Sequence, residues 1–140
     1  MEKFKIHPIT LDELNKCSSF WDDTSPDSKL ARLIQTGERQ AFVYCQDGEY
    51  VGGFTVSIRE GENGRHGHFS YFNVRSDLRN NGIGKRMLEY AYNFLNGKDI
   101  HTITLNVHNN NPSAKRLYER QGFVYVCDLT DDKFRMKKEI

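Results

Sequence analysis

The chain has 140 residues, 37% of them hydrophobic, which is enough for one domain around a single core. Its 20 Lys and Arg offset 19 Asp and Glu to a net charge of +1, so no global field points to nucleic acid or an acidic membrane as a partner. Three widely spaced cysteines, Cys17, Cys45 and Cys127, argue for reduced thiols and a cytoplasmic location; no apolar run is long enough for a membrane span, and the start, Met1 to Ile6, is too polar for a signal peptide.

Phe4 to Ile9 reads as a first strand. Thr10 is a candidate N-cap, with Glu13 completing a capping box, and Leu11, Leu14, Cys17 and Trp21 recur at helical spacing. Ser25-Pro26 predicts the start of a second helix, with Leu30, Leu33 and Ile34 as its apolar stripe and Gly37 at its end. Strands at Gln40–Cys45 and Tyr50–Ile58 flank Asp47-Gly48, a hairpin signal. Glu60 to Gly64 is a second turn, leading into a strand over His66–Val74. A strongly amphipathic helix opens at Ile83 and buries Ile83, Met87, Leu88, Ala91, Phe94 and Leu95, with Gly97 at its end. A strand over Ile100–Val107, a short helix over Pro112–Gln121 and a hairpin from Phe123–Asp128 to Lys133–Lys138 complete the chain. The order βααβββαβαββ describes one α/β domain over residues 1–140, a mixed, mostly antiparallel sheet flanked by helices.

The stretch Arg79-Asn80-Asn81-Gly82-Ile83-Gly84-Lys85 joins a strand to the start of the amphipathic helix. Unpaired N–H groups and the positive end of the helix dipole converge there, which suits a phosphate. A Walker-type loop is excluded, because Arg79 stands where its first glycine belongs and Arg86 follows Gly84-Lys85. A dinucleotide fingerprint is excluded by Met87 at its third glycine position. Arg-x-x-Gly-x-Gly is what remains.

A second pattern lies downstream: Val107-x-x-x-Asn111-x-x-Ala114-x-x-Leu117-Tyr118-Glu119-x-x-Gly122-Phe123. It resembles the second signature of the GNAT family of N-acetyltransferases, and Arg79-x-x-Gly82-x-Gly84 resembles their acetyl-CoA pyrophosphate loop. The two occur in the family's order and separation, over roughly residues 68 to 123.

The resemblance implies the GNAT fold and transfer of an acetyl group from acetyl-CoA directly to a primary amine on a small molecule or a protein. It implies pyrophosphate binding by backbone N–H groups over Arg79, Asn80, Asn81, Gly82, Ile83, Gly84 and Lys85. Asn111 and Ala114 would meet the pantetheine arm, although Asn111 before Pro112 also reads as a plain helix cap. Tyr118 would serve the departing thiolate, as a strong hydrogen-bond donor rather than a complete proton donor, since a tyrosine is a weaker acid than a thiol. A backbone N–H from Phe72, Asn73 or Val74 would stabilise the oxyanion. Family members place a base glutamate at one of two positions. Here these are Asn106, which cannot take a proton and is left to contact the substrate, and His68, whose neutral imidazole can act as a base. His108, Tyr71 and a water relay are lesser alternatives.

Trp21 and Asp22, with Asp23 and Asp27, lie where the resemblance places the acceptor pocket, and acidic groups beside an aromatic suit a cationic amine. Acidic residues near a helix start are also stabilising by themselves, which is the simpler reading of this cluster. His66 and His68 share a strand face without an evident third ligand, so no metal is expected. A non-catalytic acyl-CoA sensor of the same fold is the alternative function, kept open by Asn106. An interaction module built on Arg75, Arg79, Lys85 and Arg86 is disfavoured by the neutral charge balance. The edge strand near the C-terminus offers a surface for homodimer pairing.

Overall fold

Seven strands make one sheet: β1 (Phe4–Pro8), β2 (Gln40–Gln46), β3 (Glu49–Gly61), β4 (Gly64–Val74), β5 (Thr102–His108), β6 (Val124–Thr130) and β7 (Lys133–Glu139). Their spatial order is β1-β2-β3-β4-β5-β7-β6, and every pair is antiparallel except β4 with β5. A 3-10 helix (Leu11–Cys17) and helices α1 (Lys29–Gln35), α2 (Ile83–Asn96) and α3 (Pro112–Arg120) flank the sheet, so the mixed, mostly antiparallel α/β architecture expected from the sequence is the one observed. The computed structural model describes residues 3–62 and 64–140; the first two residues of the polar start and Asn63 of the second turn lie outside the described residues.

Strand alternation divides the apolar residues between two cores. Phe42 and Tyr44 of β2 join Phe54, Phe69, Ile103 and Leu105 beneath Met87, Leu88 and Leu95 of α2. Ala41 and Val43 face the other way, against Cys17, Trp21 and Leu30. Phe94 is only half-buried, at the rim of the first core.

Two local expectations are corrected. The Thr10 capping box does not form: Thr10 makes no side-chain cap bond, and Glu13 instead accepts the Tyr50 hydroxyl. A tertiary partner outcompetes the local one, and the segment winds as a 3-10 helix. The next helix starts after Ser28, whose Oγ accepts the Ala31 N–H at 3.1 Å, while Ser25 is held by the Asp23 carboxylate at 2.7 Å.

Two irregularities in β4 position the site. Its pairing with β3 runs Thr55 to Ser70 and then Gly53 to Asn73, so Tyr71 and Phe72 bulge out, and Tyr71 takes φ 52°. Its parallel pairing with β5 covers only Gly67–Phe69 against Ile103–Leu105, beyond which the two strands separate.

Upstream of that break, α2 lies directly on β4. A Cβ on Gly67 would sit 2.4 Å from Leu95 Cδ1, 2.5 Å from Cδ2 and 3.0 Å from Cγ. Leu95 is fully buried and has no room to move. Gly67→Ala is therefore expected to cost about 1–3 kcal/mol. Urea unfolding should show a lower midpoint at unchanged slope, and an unchanged midpoint would contradict this seating of α2.

Candidate functional site

The break between β4 and β5 opens a cleft of about 740 Å³, closed on its other sides by the N-terminus of α2 and by α3. At the α2 terminus, Asn80 and Gly82 take left-handed backbone conformations, φ 67° and 80°. Gly82 is the N-cap and offers no side-chain acceptor, so the first N–H groups of α2 are left for a ligand. Gly82, Ile83, Gly84 and Lys85 all line the cleft. Gly84 is needed for a different reason: a Cβ there would meet Phe72 Cζ at 2.7 Å and Leu117 Cδ2 at 3.3 Å.

Several polar residues expected at the site use their side chains to brace the cleft wall. Arg79 Nε donates to Val74 O at 3.0 Å, and its Nη2 donates to Asn73 Oδ1 at 3.2 Å. Its charge stays at the rim, because both partners are neutral. Asn73 Nδ2 donates to Phe20 O at 2.5 Å, and Val74 N–H donates to Asn73 Oδ1 at 3.0 Å. That bond withdraws Val74 from the candidate oxyanion donors. Asn81 Nδ2 donates to Leu78 O at 3.1 Å, and Asn81 does not line the cleft, unlike Asn80. Trp21 is buried, and its indole N–H donates to Tyr71 O at 2.7 Å, so it anchors the bulge. Trp21, Asp22 and Asp23 line a smaller cavity of about 340 Å³, whose wall of Tyr71, Phe72 and Asn73 is shared with the cleft. Asp27 lines neither.

On α3, Asn111 Oδ1 accepts the Ala114 N–H at 3.2 Å and the Ser113 hydroxyl at 3.1 Å, as a helix cap does. Its amide nitrogen is the part left for a ligand. Tyr118 lies one turn beyond Ala114, 5% exposed, against the rings of Phe72 and Phe123. Asn111, Ala114 and Tyr118 all line the cleft. Burial pushes the Tyr118 phenol well above its usual range, so it enters the cleft as a neutral donor.

His68 does not fit the role of base. It lines the cleft but is 2% exposed, with Nδ1 2.8 Å from Thr104 Oγ1. Burial first, then the guanidinium groups of Arg59, Arg135 and Arg39, push it down to about 3. A group so weakly basic stays neutral at pH 7 and abstracts no proton from an ammonium. His66 is lowered by burial and by Arg59 and Arg135. His108, Tyr71 and Asn106 line the cleft, and Asn106 Oδ1 accepts from Arg135 Nε at 3.2 Å. Among the described residues, no group of three or more His, Cys, Asp or Glu could hold a metal ion, and no helix is long and apolar enough to cross a membrane.

The guanidinium groups of Arg39, Arg59 and Arg135 around His68 lie outside both motifs. Nothing local marks them: strand register brings Arg59 of β3 and Arg135 of β7 to His68, and Arg39, just before β2, reaches the same face through the Ser70 hydroxyl.

Comparison with known proteins places this site in context. The family model described as the acetyltransferase (GNAT) family matches residues 8–123. The mycothiol acetyltransferase of Streptomyces coelicolor is 31% identical over 83 residues, 59% of this chain; that match spans 26%, about a quarter, of the relative's own length. An acetyltransferase from Thermus thermophilus superposes with a TM-score of 0.81 at 20% identity over 100% of both chains. The paia N-acetyltransferase of Thermoplasma acidophilum, solved in complex with coenzyme A, superposes at 0.80 with 17% identity over 99% of both. At these identities the superpositions establish the shared fold.

The environment of His68 has a thermodynamic consequence. An unfolded histidine takes a proton near its usual 6.5, whereas folded His68 does so only near 3. Between those values the unfolded state binds more protons, so stability is lost as the pH falls, by up to about 1.4 kcal/mol per unit for this one group. The window from about pH 6.5 to 5 precedes most carboxylate titration. Urea unfolding should show a steeper loss across it for the native chain than for His68→Gln, and equal slopes would contradict the assignment.

Proposed function

This chain belongs to the GNAT acetyltransferase family, and we propose that it is an acetyl-CoA-dependent N-acetyltransferase that passes the acetyl group directly to a primary amine. The observation that carries this reading is the α2 terminus, with Gly82 in the left-handed region and Gly84 packed on Phe72, set at the mouth of the β4–β5 break. A pyrophosphate fits there: the N–H groups of Gly82 to Lys85 supply donors, the helix dipole supplies field, and Arg79 and Lys85 supply charge at the rim. The about 740 Å³ of the cleft suits an extended ligand reaching from that loop past Asn111 towards Tyr118.

Acetyl-CoA supplies the activated thioester. The chain supplies positioning, a hydrogen bond to the leaving sulfur and a water-poor wall of Phe72 and Leu117. Tyr118 is the sulfur's partner. Its acidity is further from a thiol's than that of a free tyrosine, so it donates a hydrogen bond to the developing thiolate and keeps its proton until late. Cys17, Cys45 and Cys127 line neither cavity, which supports direct attack over an acetyl-enzyme. With His68 unable to serve as a base, the amine reacts as its free base and releases its proton to water.

The test is a broad amine screen with acetyl-CoA, followed by free thiol release. Turnover with at least one amine is expected, and coenzyme A binding without thiol release from any of them would establish the sensor alternative instead. Tyr118→Phe should lower kcat about tenfold to a hundredfold, the loss of one charge-assisted hydrogen bond of about 1.5–3 kcal/mol. Unchanged turnover would remove Tyr118 from the mechanism.

A further inference from the structure

The sheet face away from α2 carries a concentration of positive charge that composition conceals. Register sets Arg59 opposite His66, Ser57 opposite His68 and Thr55 opposite Ser70. It continues from His68 to Thr104 on β5, then from Thr104 to Lys137 and from Asn106 to Arg135 on β7. Arg39, just before β2, donates to the Ser70 hydroxyl and stacks 5.4 Å from the Tyr71 ring centroid. Three half-buried guanidinium groups thus converge around one row of neutral side chains.

None of the three has a carboxylate partner among the described residues. Arg39 reaches a hydroxyl, Arg135 reaches the Asn106 carbonyl oxygen at 3.2 Å, and Arg59 has no hydrogen-bond partner among the described residues. Ion pairs among the described residues join Arg75 to Glu49 and Asp77, and His101 to Asp99, none of them on this face. The Ser57 hydroxyl, opposite His68, is buried with no partner among the described residues. Arg59 is held below its usual range by burial and then by Arg39 and Arg135, as expected when like charges crowd without compensation. Clustered cations of this kind are stabilised by an oxyanion, which guanidinium groups grip through paired N–H donors. The face opens onto the cleft, because His68, Ser70 and Asn106 line both.

We propose that this face is the acceptor site and that it selects an amine bearing an oxyanion, a carboxylate or a phosphate; the proposal rests on the acetyltransferase reading above. It reverses the expectation of a cationic acceptor drawn to Trp21 and Asp22. Trp21 is spent on the bulge, and Asp22 and Asp23 are exposed at the rim of the smaller cavity. The same cations disfavour an ammonium beside them, so they raise the fraction of free amine in a site without a base. The oxyanion anchors the acceptor while its amine reaches through the β4–β5 break.

Matched amines test this: glycine against glycinamide, and O-phosphoethanolamine against ethanolamine, each with acetyl-CoA and thiol release as the readout. The oxyanion member of at least one pair should have kcat/KM about tenfold or more above its neutral partner, and the preferred pair tells carboxylate from phosphate. In the Arg59→Gln, Arg135→Gln double variant that ratio should fall to within about threefold of one, with retained coenzyme A binding as the folding control. Equal or better use of the neutral members, or a ratio that survives in the variant, would overturn the proposal. A second measurement keeps it separable from the function: titration of the coenzyme A complex with N-acetylglycine, N-acetyl-O-phosphoethanolamine and N-acetylglycinamide. If no amine releases thiol, the acetyltransferase reading fails. The titration still decides the face, through oxyanion-dependent binding that the double variant loses or through its absence.

Discussion

The bulge at Tyr71–Phe72 is the constraint on which the rest of the site depends. A left-handed Tyr71 costs about 1–3 kcal/mol, and it persists because its surroundings hold it. The Trp21 indole binds its carbonyl, Asn73 ties the next turn of chain to Phe20, and Arg79 clamps the end of β4 at Val74 O. With β4 turned aside there, β5 loses β4 as a partner beyond Leu105 while staying paired to β7, and the sheet opens into a cleft instead of closing over its core. Phe72 is thereby aimed at Gly84, which sets the start of α2 against the opening.

The two sides of this opening differ in chemistry. On the α2 and α3 side it is aromatic and apolar, with backbone N–H groups at one end and a neutral phenol at the other. On the opposite side it is a polar sheet face with three uncompensated guanidinium groups. The proposed division of labour follows from that asymmetry: a long donor with a pyrophosphate head enters from one side, and a short charged acceptor from the other. Of the cleft's titratable groups, Tyr118 and His68 keep their charge state at pH 7. Tyr118 is held neutral from above and His68 from below.

The succession of strands along the chain, the Asp47-Gly48 hairpin and the long amphipathic helix were legible because periodicity and turn chemistry are local signals. So was the Arg79–Lys85 loop, where glycine spacing excludes other phosphate loops. Side-chain roles were less legible wherever a residue's partner lies far along the chain. Glu13 reads as a cap until Tyr50 claims it, and Trp21 reads as a contact for the acceptor until Tyr71, fifty positions on, takes its N–H. His68 reads as a base by its position before the loop. Its neighbours Thr104, Arg59 and Arg135 come from three other strands, and they remove its basicity. A surface that exists only through register, as the guanidinium cluster does, leaves no mark in any one segment.

The central claim is that the β4–β5 break and the α2 terminus together seat coenzyme A. Amide chemical shifts of the labelled protein during titration with coenzyme A address it most directly. The account predicts the largest changes at Gly82, Ile83, Gly84 and Lys85, with a second group at Phe72, Asn73 and Ala114 on the walls of the same cleft. Saturable changes confined to other parts of the sheet, or none at all at the α2 terminus, would contradict it.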